Sequence, residues 1–166
     1  MELTKIIAAI ACLSFSAHAR LLETEAQSEA RYGPARDDVR AKKDKPLMAG
    51  AVEKVYWFQE WRIRAAFVGG VCHKIQYSRM LVKGEAVTIT DAEIAKILEA
   101  EKGTWSWKEE TSAGTPGQKA AAAKLMQLFN GKEWIRGDGA KAMTALGLVV
   151  EIRSTVARDM EKKAKK

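Results

Sequence analysis

The chain has 166 residues, 47% hydrophobic and 30% charged, with two cysteines and a formal net charge of +7. That balance excludes collagen-like, low-complexity and disordered classes, and two cysteines exclude a disulfide-stapled scaffold. The length suits one domain or two small units sharing a core, and the charge favours anionic partners.

Residues 1–19 read as a secretory signal peptide. Lys5 supplies the positive start, Ile6 to Ala17 an apolar run of small residues, and Ala17-His18-Ala19 the cleavage motif, with cutting between Ala19 and Arg20. The alternatives are a buried N-terminal helix or a lipoprotein acylated at Cys12, which only a short apolar run precedes. The run is too short for a membrane span, which needs about 20 residues, and no later stretch could serve as one. The product is then periplasmic or secreted, and Cys72 is its one remaining cysteine, either inert or a handle for an intermolecular bond.

Thr24-Glu25-Ala26-Gln27 forms a capping box that opens a helix to about Tyr32, with Ala26 and Ala30 on its apolar stripe and Tyr32 a further candidate for it. Gly33-Pro34 stops it. Residues 35–52 are charged and carry Pro46 and Gly50, which predicts a long loop. Val55 to Arg79 predicts a three-stranded meander, turning near Gln59-Glu60 and at Gly69-Gly70. Period-two alternation puts Ile63, Ala65 and Phe67 on one face and Arg62, Arg64 and Ala66 on the other. In the third strand the same rule groups Val71, His73, Ile75 and Tyr77 against Cys72, Lys74, Gln76 and Ser78. A sheet with one apolar face needs a cover there, most simply a helix, which leaves the other face free.

A second capping box, Thr90-Asp91-Ala92-Glu93, opens a helix with Ile94, Ile97 and Leu98 on one side, ended by Gly103. Thr104 to Glu109 predicts a short strand, residues 118–130 a third helix, and Trp134 onward a hairpin turning at Gly137-Asp138-Gly139. A further strand ends near Arg153, and Ser154 caps a basic C-terminal helix.

The halves echo each other. Thr24 lies 33 residues before Trp57, and Thr90 lies 44 before Trp134; the difference is close to the length of the third helix, read as an insertion. Trp57 and Trp134, Ala65 and Ala142, Gly70 and Gly147, and Ile75 and Ile152 are all 77 residues apart. Chance recurrence of common devices is the competing account. The fold expected is α+β: an antiparallel meander sheet covered on one face by helices, in two tandem helix-plus-hairpin units. The units run 20–88 and 89–154, the latter with an inserted helix at about 117–130, and a basic tail follows at 155–166.

Thr24, Gln27, Tyr32-Gly33-Pro34, Tyr56-Trp57, Ile63, Phe67, Gly70 and Val71 carry a pattern that resembles the small lipoprotein of the outer-membrane barrel assembly machine. Two such units in tandem resemble the β-lactamase inhibitor protein, and the E-T-E-A-Q-x-E-A-R-Y-G start resembles small secreted bacterial proteins. The chain departs from these in its long 35–52 loop and in lacking a second cysteine in either unit. The resemblance implies a fold and a habit of binding proteins through a sheet face.

Chemistry for catalysis is not evident. His73 and Cys72 are neighbours on a strand, so their side chains point apart and the ring could not activate the thiol. His73 is expected to be a hydrogen-bonded core residue. One histidine and one cysteine cannot make a four-ligand zinc site. Gly137-Asp138-Gly139 is a hairpin turn rather than a phosphate loop, and Asp37-Asp38 and Glu109-Glu110 are surface acids. No cofactor, metal or catalytic residue is assigned. The expected contact face carries Arg62, Arg64, Lys74 and Gln76, with Trp57 or Phe58 of the first strand adding an aromatic. Like charges on neighbouring strands are unfavourable, so an acidic partner or the acids of the 37–38 loop must relieve them. The expected function is an exported, non-catalytic binder of an envelope or extracellular protein. The alternatives are a binder of anionic envelope surfaces through the basic tail and, made remote by export, a nucleic-acid binder.

Overall fold

The computed structural model describes residues 20–38, 44–110 and 131–164. The signal peptide expected at 1–19 and the helix expected at 118–130 both lie outside the described residues.

The period-two stretch forms three strands, β1 (Val52–Phe58), β2 (Trp61–Val68) and β3 (Val71–Arg79). Before them comes helix α1 (Glu25–Tyr32), and after them α2 (Asp91–Glu101). Then follow β4 (Trp107–Glu109), β5 (Glu133–Arg136), β6 (Lys141–Ala145), β7 (Val149–Arg153) and helix α3 (Thr155–Lys163). The seven strands make one antiparallel sheet in the order β1-β2-β3-β7-β6-β5-β4. The fold is therefore α+β.

Both capping boxes form. Thr24 and Thr90 each accept a hydrogen bond from the backbone of the third helical residue, whose own side chain returns to the cap backbone. The stripe of α1 differs from expectation in part: Tyr32 is buried on it, but with Ser28 rather than Ala26 and Ala30, which face solvent. Tyr32 is the one aromatic side chain on that helix, so it sets the buried face. On α2, Ile94, Ile97 and Leu98 are buried as their spacing demands. These helices cover one face of the sheet, over a core that includes Tyr56, Ile63, Phe67, Ile75, Tyr77 and Ile152. Trp107 opens β4 and donates its indole N–H to the Leu98 carbonyl at 2.8 Å. Trp105 stands outside the strand, half exposed and packed over Gly137, where an added Cβ would lie 2.6 Å from its ring.

At the centre, Ala65 pairs with Ile75, Ile75 with Ile152, and Ile152 with Ala142. Residues 77 positions apart thus occupy equivalent places on either side of the β3–β7 junction. The turns match as well: Gly69 and Gly70 have φ of 59° and 78°, and Leu146 and Gly147 have 56° and 65°. Two consecutive left-handed residues suit the twist of a two-residue hairpin. The correspondence stops at the outer strands. Trp57 pairs with Arg62 on the second face, whereas Trp134 pairs with Ala142 on the core face. The hairpin joining β5 to β6 is longer than the one joining β1 to β2, which shifts the register.

One face assignment is corrected. Phe67 pairs with Cys72 but Ala66 pairs with Lys74, leaving His73 as the extra residue of a β-bulge. The bulge breaks alternation, so Cys72 joins Ile75 and Tyr77 in the core and is fully buried. His73 is only half-buried; its Nδ1 lies 3.0 Å from the Ser154 hydroxyl. Burial lowers the His73 pKa and raises that of the Cys72 thiol, which suppresses thiolate chemistry there.

A polar node crosses the core. Glu101, the last residue of α2, is completely buried. It accepts from the Leu21 backbone N–H at 3.0 Å and from the Tyr77 hydroxyl, which lies 3.2 Å from that of Tyr32. The Arg136 guanidinium donates to the Glu101 carbonyl and to Asp138. One carboxylate thereby ties the segment before α1 to α2 and β3.

Candidate interaction groove

The second face of the sheet is not bare. Residues 47 and 48 and helix α3 fold over its β1–β3 part, where Leu47, Met48 and Ala157 bury Ala66. Helices and loop therefore cover both faces in part, rather than one face only. The cause is visible in the chain: Leu47 and Met48 are the apolar pair within the charged loop, and Ala157 is small enough to let α3 lie close to β2 and β3.

This cover determines the fate of the basic face. Arg62, Arg64 and Lys74 are buried, with 8%, 6% and 7% of their surface exposed. Arg62 Nε donates to Asp38 at 2.6 Å and its Nη2 to Asp44 at 3.0 Å. Arg64 Nε donates to Glu53 at 2.6 Å, its Nη2 to the Lys45 carbonyl at 3.0 Å, and its Nη1 reaches Gln76 at 3.5 Å. Lys74 Nζ bonds Glu161 of α3 at 2.8 Å and lies 3.2 Å from Glu151 of β7. Burial pushes the Glu161 carboxyl up, but the bond from Lys74 and the charges of Lys74 and Arg153 outweigh it and hold the pKa below its usual value. The repulsion expected between neighbouring cations is thus relieved inside the chain. Acids of the 38–53 segment relieve the arginines, and β7 and α3 relieve the lysine.

Trp57 shares this face. It is 38% exposed, lies across from Arg62, and carries the Arg36 guanidinium 5.6 Å from its ring centre. Gln76 is half-buried and faces Glu151. The sequence-predicted residues therefore do converge, but three of the five are locked beneath a cover.

The cover stops short of the middle of the sheet and leaves a groove of about 1120 Å³. Its floor is Arg62, Arg64, Lys74, Gln76, Ser78 and Glu151. One wall is residues 44–49 and the end of α3; the other is the 81–87 segment with Leu148 and Val149. Ile89 N–H bonds the Gly147 carbonyl at 2.7 Å, which moors that second wall to the β6–β7 turn. Leu81 on it is 45% exposed. Sequence reasoning missed Asp44, Glu53, Glu151, Glu161 and Leu81. Glu53 was within reach, because extending β1 back to Val52 places it beside Arg64 on the same face.

The groove lining holds neither histidine nor cysteine. Among the described residues, no cluster of histidine, cysteine or acid side chains could hold a metal ion, and no helix is long and apolar enough to cross a membrane. The chain matches no family model, and comparison with curated proteins and with solved structures found no significant similarity.

Proposed function

We propose that this chain is an exported, non-catalytic protein-binding module of two helix-plus-hairpin units, and that it holds its partner in the groove on the second face of the sheet. The carrying observation is the groove itself: a concavity of about 1120 Å³ with a polar floor and an exposed leucine on one wall. Concave sites with apolar walls and a few placed polar groups are where partners and ligands settle. The two-unit reading is supported by the repeated capping boxes and by the Ala65–Ile75–Ile152–Ala142 chain of pairs.

The groove reading has a clean test, because Leu81 is exposed and belongs to neither core cluster. Leu81→Glu should leave the circular dichroism spectrum and melting temperature unchanged and weaken partner capture from an envelope extract at least tenfold, about 1.4 kcal/mol. Val156→Glu on α3, which is exposed outside the groove lining, should change neither. Equal capture by the Leu81 variant and the parent would remove the groove from consideration. Export has its own readout: the native protein should begin at Arg20 by N-terminal sequencing. A chain that retains Met1 would refute secretion through this leader.

A further inference from the structure

Arg62 and Arg64 lie two residues apart on β2 and face the same way. Each has one acid that belongs to the fold. Asp38, partner of Arg62, has a side chain only 2% exposed; Glu53, partner of Arg64, sits on the adjoining strand and is 20% exposed. A third acid is shared. The Oδ2 of Asp44 lies 3.0 Å from Arg62 Nη2 and 3.6 Å from Arg64 Nη1, and its side chain is 41% exposed at the groove mouth.

This third acid is held differently from the other two. One of its contacts is a hydrogen bond; the other, at 3.6 Å, is too long to be one. Both contacts use the same oxygen, so Asp44 makes no fork-to-fork pair with either guanidinium. A carboxylate entering from the groove could present one oxygen to each arginine, giving two charge-assisted hydrogen bonds where Asp44 makes one. A partly exposed ion pair is also worth little, so releasing Asp44 to water costs little. We propose that Asp44 is an internal stand-in for a carboxylate of the partner, and that the groove takes an acidic polypeptide segment by exchanging that carboxylate for Asp44.

The surroundings fix the chemistry of the segment. Lys45 and Lys163 are exposed at the groove edge, which favours further acids on the partner. Leu81 and Leu148 on the opposite wall favour apolar side chains between them. The fitting ligand is therefore an extended stretch that alternates acidic and aliphatic residues, not an isolated anion. This inference rests on the groove being the contact site, and the experiment separates the two.

The test uses the full chain and two end-blocked hexapeptides, one alternating leucine with glutamate and one alternating leucine with glutamine. Binding is followed by calorimetry. Asp44→Asn removes the competing charge and should bind the glutamate peptide about tenfold more tightly than the parent, about 1.4 kcal/mol, with no gain for the glutamine peptide. Leu81→Glu should abolish binding in both backgrounds. An Asn variant that gains nothing, or gains equally for both peptides, overturns the exchange. If Leu81→Glu still abolishes binding in that case, the groove reading stands without it. Absence of measurable binding by either protein also overturns the proposal. So does a gain that Asp44→Asn shows only toward anionic phosphatidylglycerol vesicles, since that would assign the arginines to a lipid surface.

Discussion

Arg62→Ala is expected to destabilise the fold by about 3–5 kcal/mol, the usual cost of breaking a buried ion pair by removing one partner. The substitution takes the guanidinium from Asp38, whose side chain is almost wholly out of water, and opens the layer between β2 and the segment above it. A small domain has roughly 5–15 kcal/mol in hand, so the variant should unfold at a much lower urea concentration with an unchanged slope. Arg79→Ala is the comparison, because its ion pairs are to Glu60, 72% exposed, and Glu93, with its guanidinium 5.3 Å from the Trp61 ring centre. That change should cost about 1 kcal/mol or less. A double variant, Arg62→Met with Asp38→Leu, should recover most of the loss, since an apolar pair of similar volume needs no counter-ion. Equal midpoints for Arg62→Ala and Arg79→Ala would show that the pair beneath the loop is not buried in solution. The expected loss also disqualifies charge reversal at Arg62 and Arg64 as a binding test, because it would report unfolding.

The same residues show where the sequence is readable and where it stops. Alternation from Val55 to Phe67 places Ile63, Ala65 and Phe67 correctly, because each sits in an unbroken ladder. It fails only at Cys72 and His73, where the extra residue of the bulge carries Cys72 into the core, while Ile75 and Tyr77 keep the core face and Lys74 and Gln76 the other; the Val71-Cys72-His73 run carries no glycine or other mark of a bulge. Both helix caps are legible from four residues each, since their bonds are local. The cover over the second face is not. Leu47, Met48 and Ala157 are short apolar fragments in charged surroundings, with no period to reveal what they bury. Arg62 and Arg64 then look like a wet face, whereas acids 11 to 24 positions away in the chain neutralise them. The candidate site was therefore legible as a set of residues and illegible as a burial state.

Glu101 was the least predictable position and carries the second large expectation. An acid at the end of a helix normally faces water, yet this one is fully buried between Leu21, Tyr77 and Arg136. Glu101→Ala would remove the acceptor used by the Leu21 N–H and the Tyr77 hydroxyl and leave a cavity behind. A loss of about 3–5 kcal/mol is expected, from two buried donors left unpaired at about 1–3 kcal/mol each together with the cavity. Glu101→Gln keeps the shape: its amide oxygen can accept from Leu21, and its N–H group can donate to Tyr77. The two forms of the site then differ mainly in how they respond to pH. Burial raises the Glu101 pKa above its ordinary 4.5, and the bonds from Tyr77 and Leu21 and the charges of Arg20 and Arg136 offset this only in part. The folded chain thus holds this proton more tightly than the unfolded chain. Its stabilising contribution is complete below about pH 4.5 and is lost as the pH climbs through the raised value. Urea midpoints of the parent, measured against Glu101→Gln from about pH 4 to pH 8, should therefore fall progressively relative to the variant as the solution becomes less acidic. A gap that stays constant, or widens in favour of the parent toward neutral pH, would mean that Glu101 is ionised and fully compensated inside the fold, with the charges of Arg20 and Arg136 outweighing its burial.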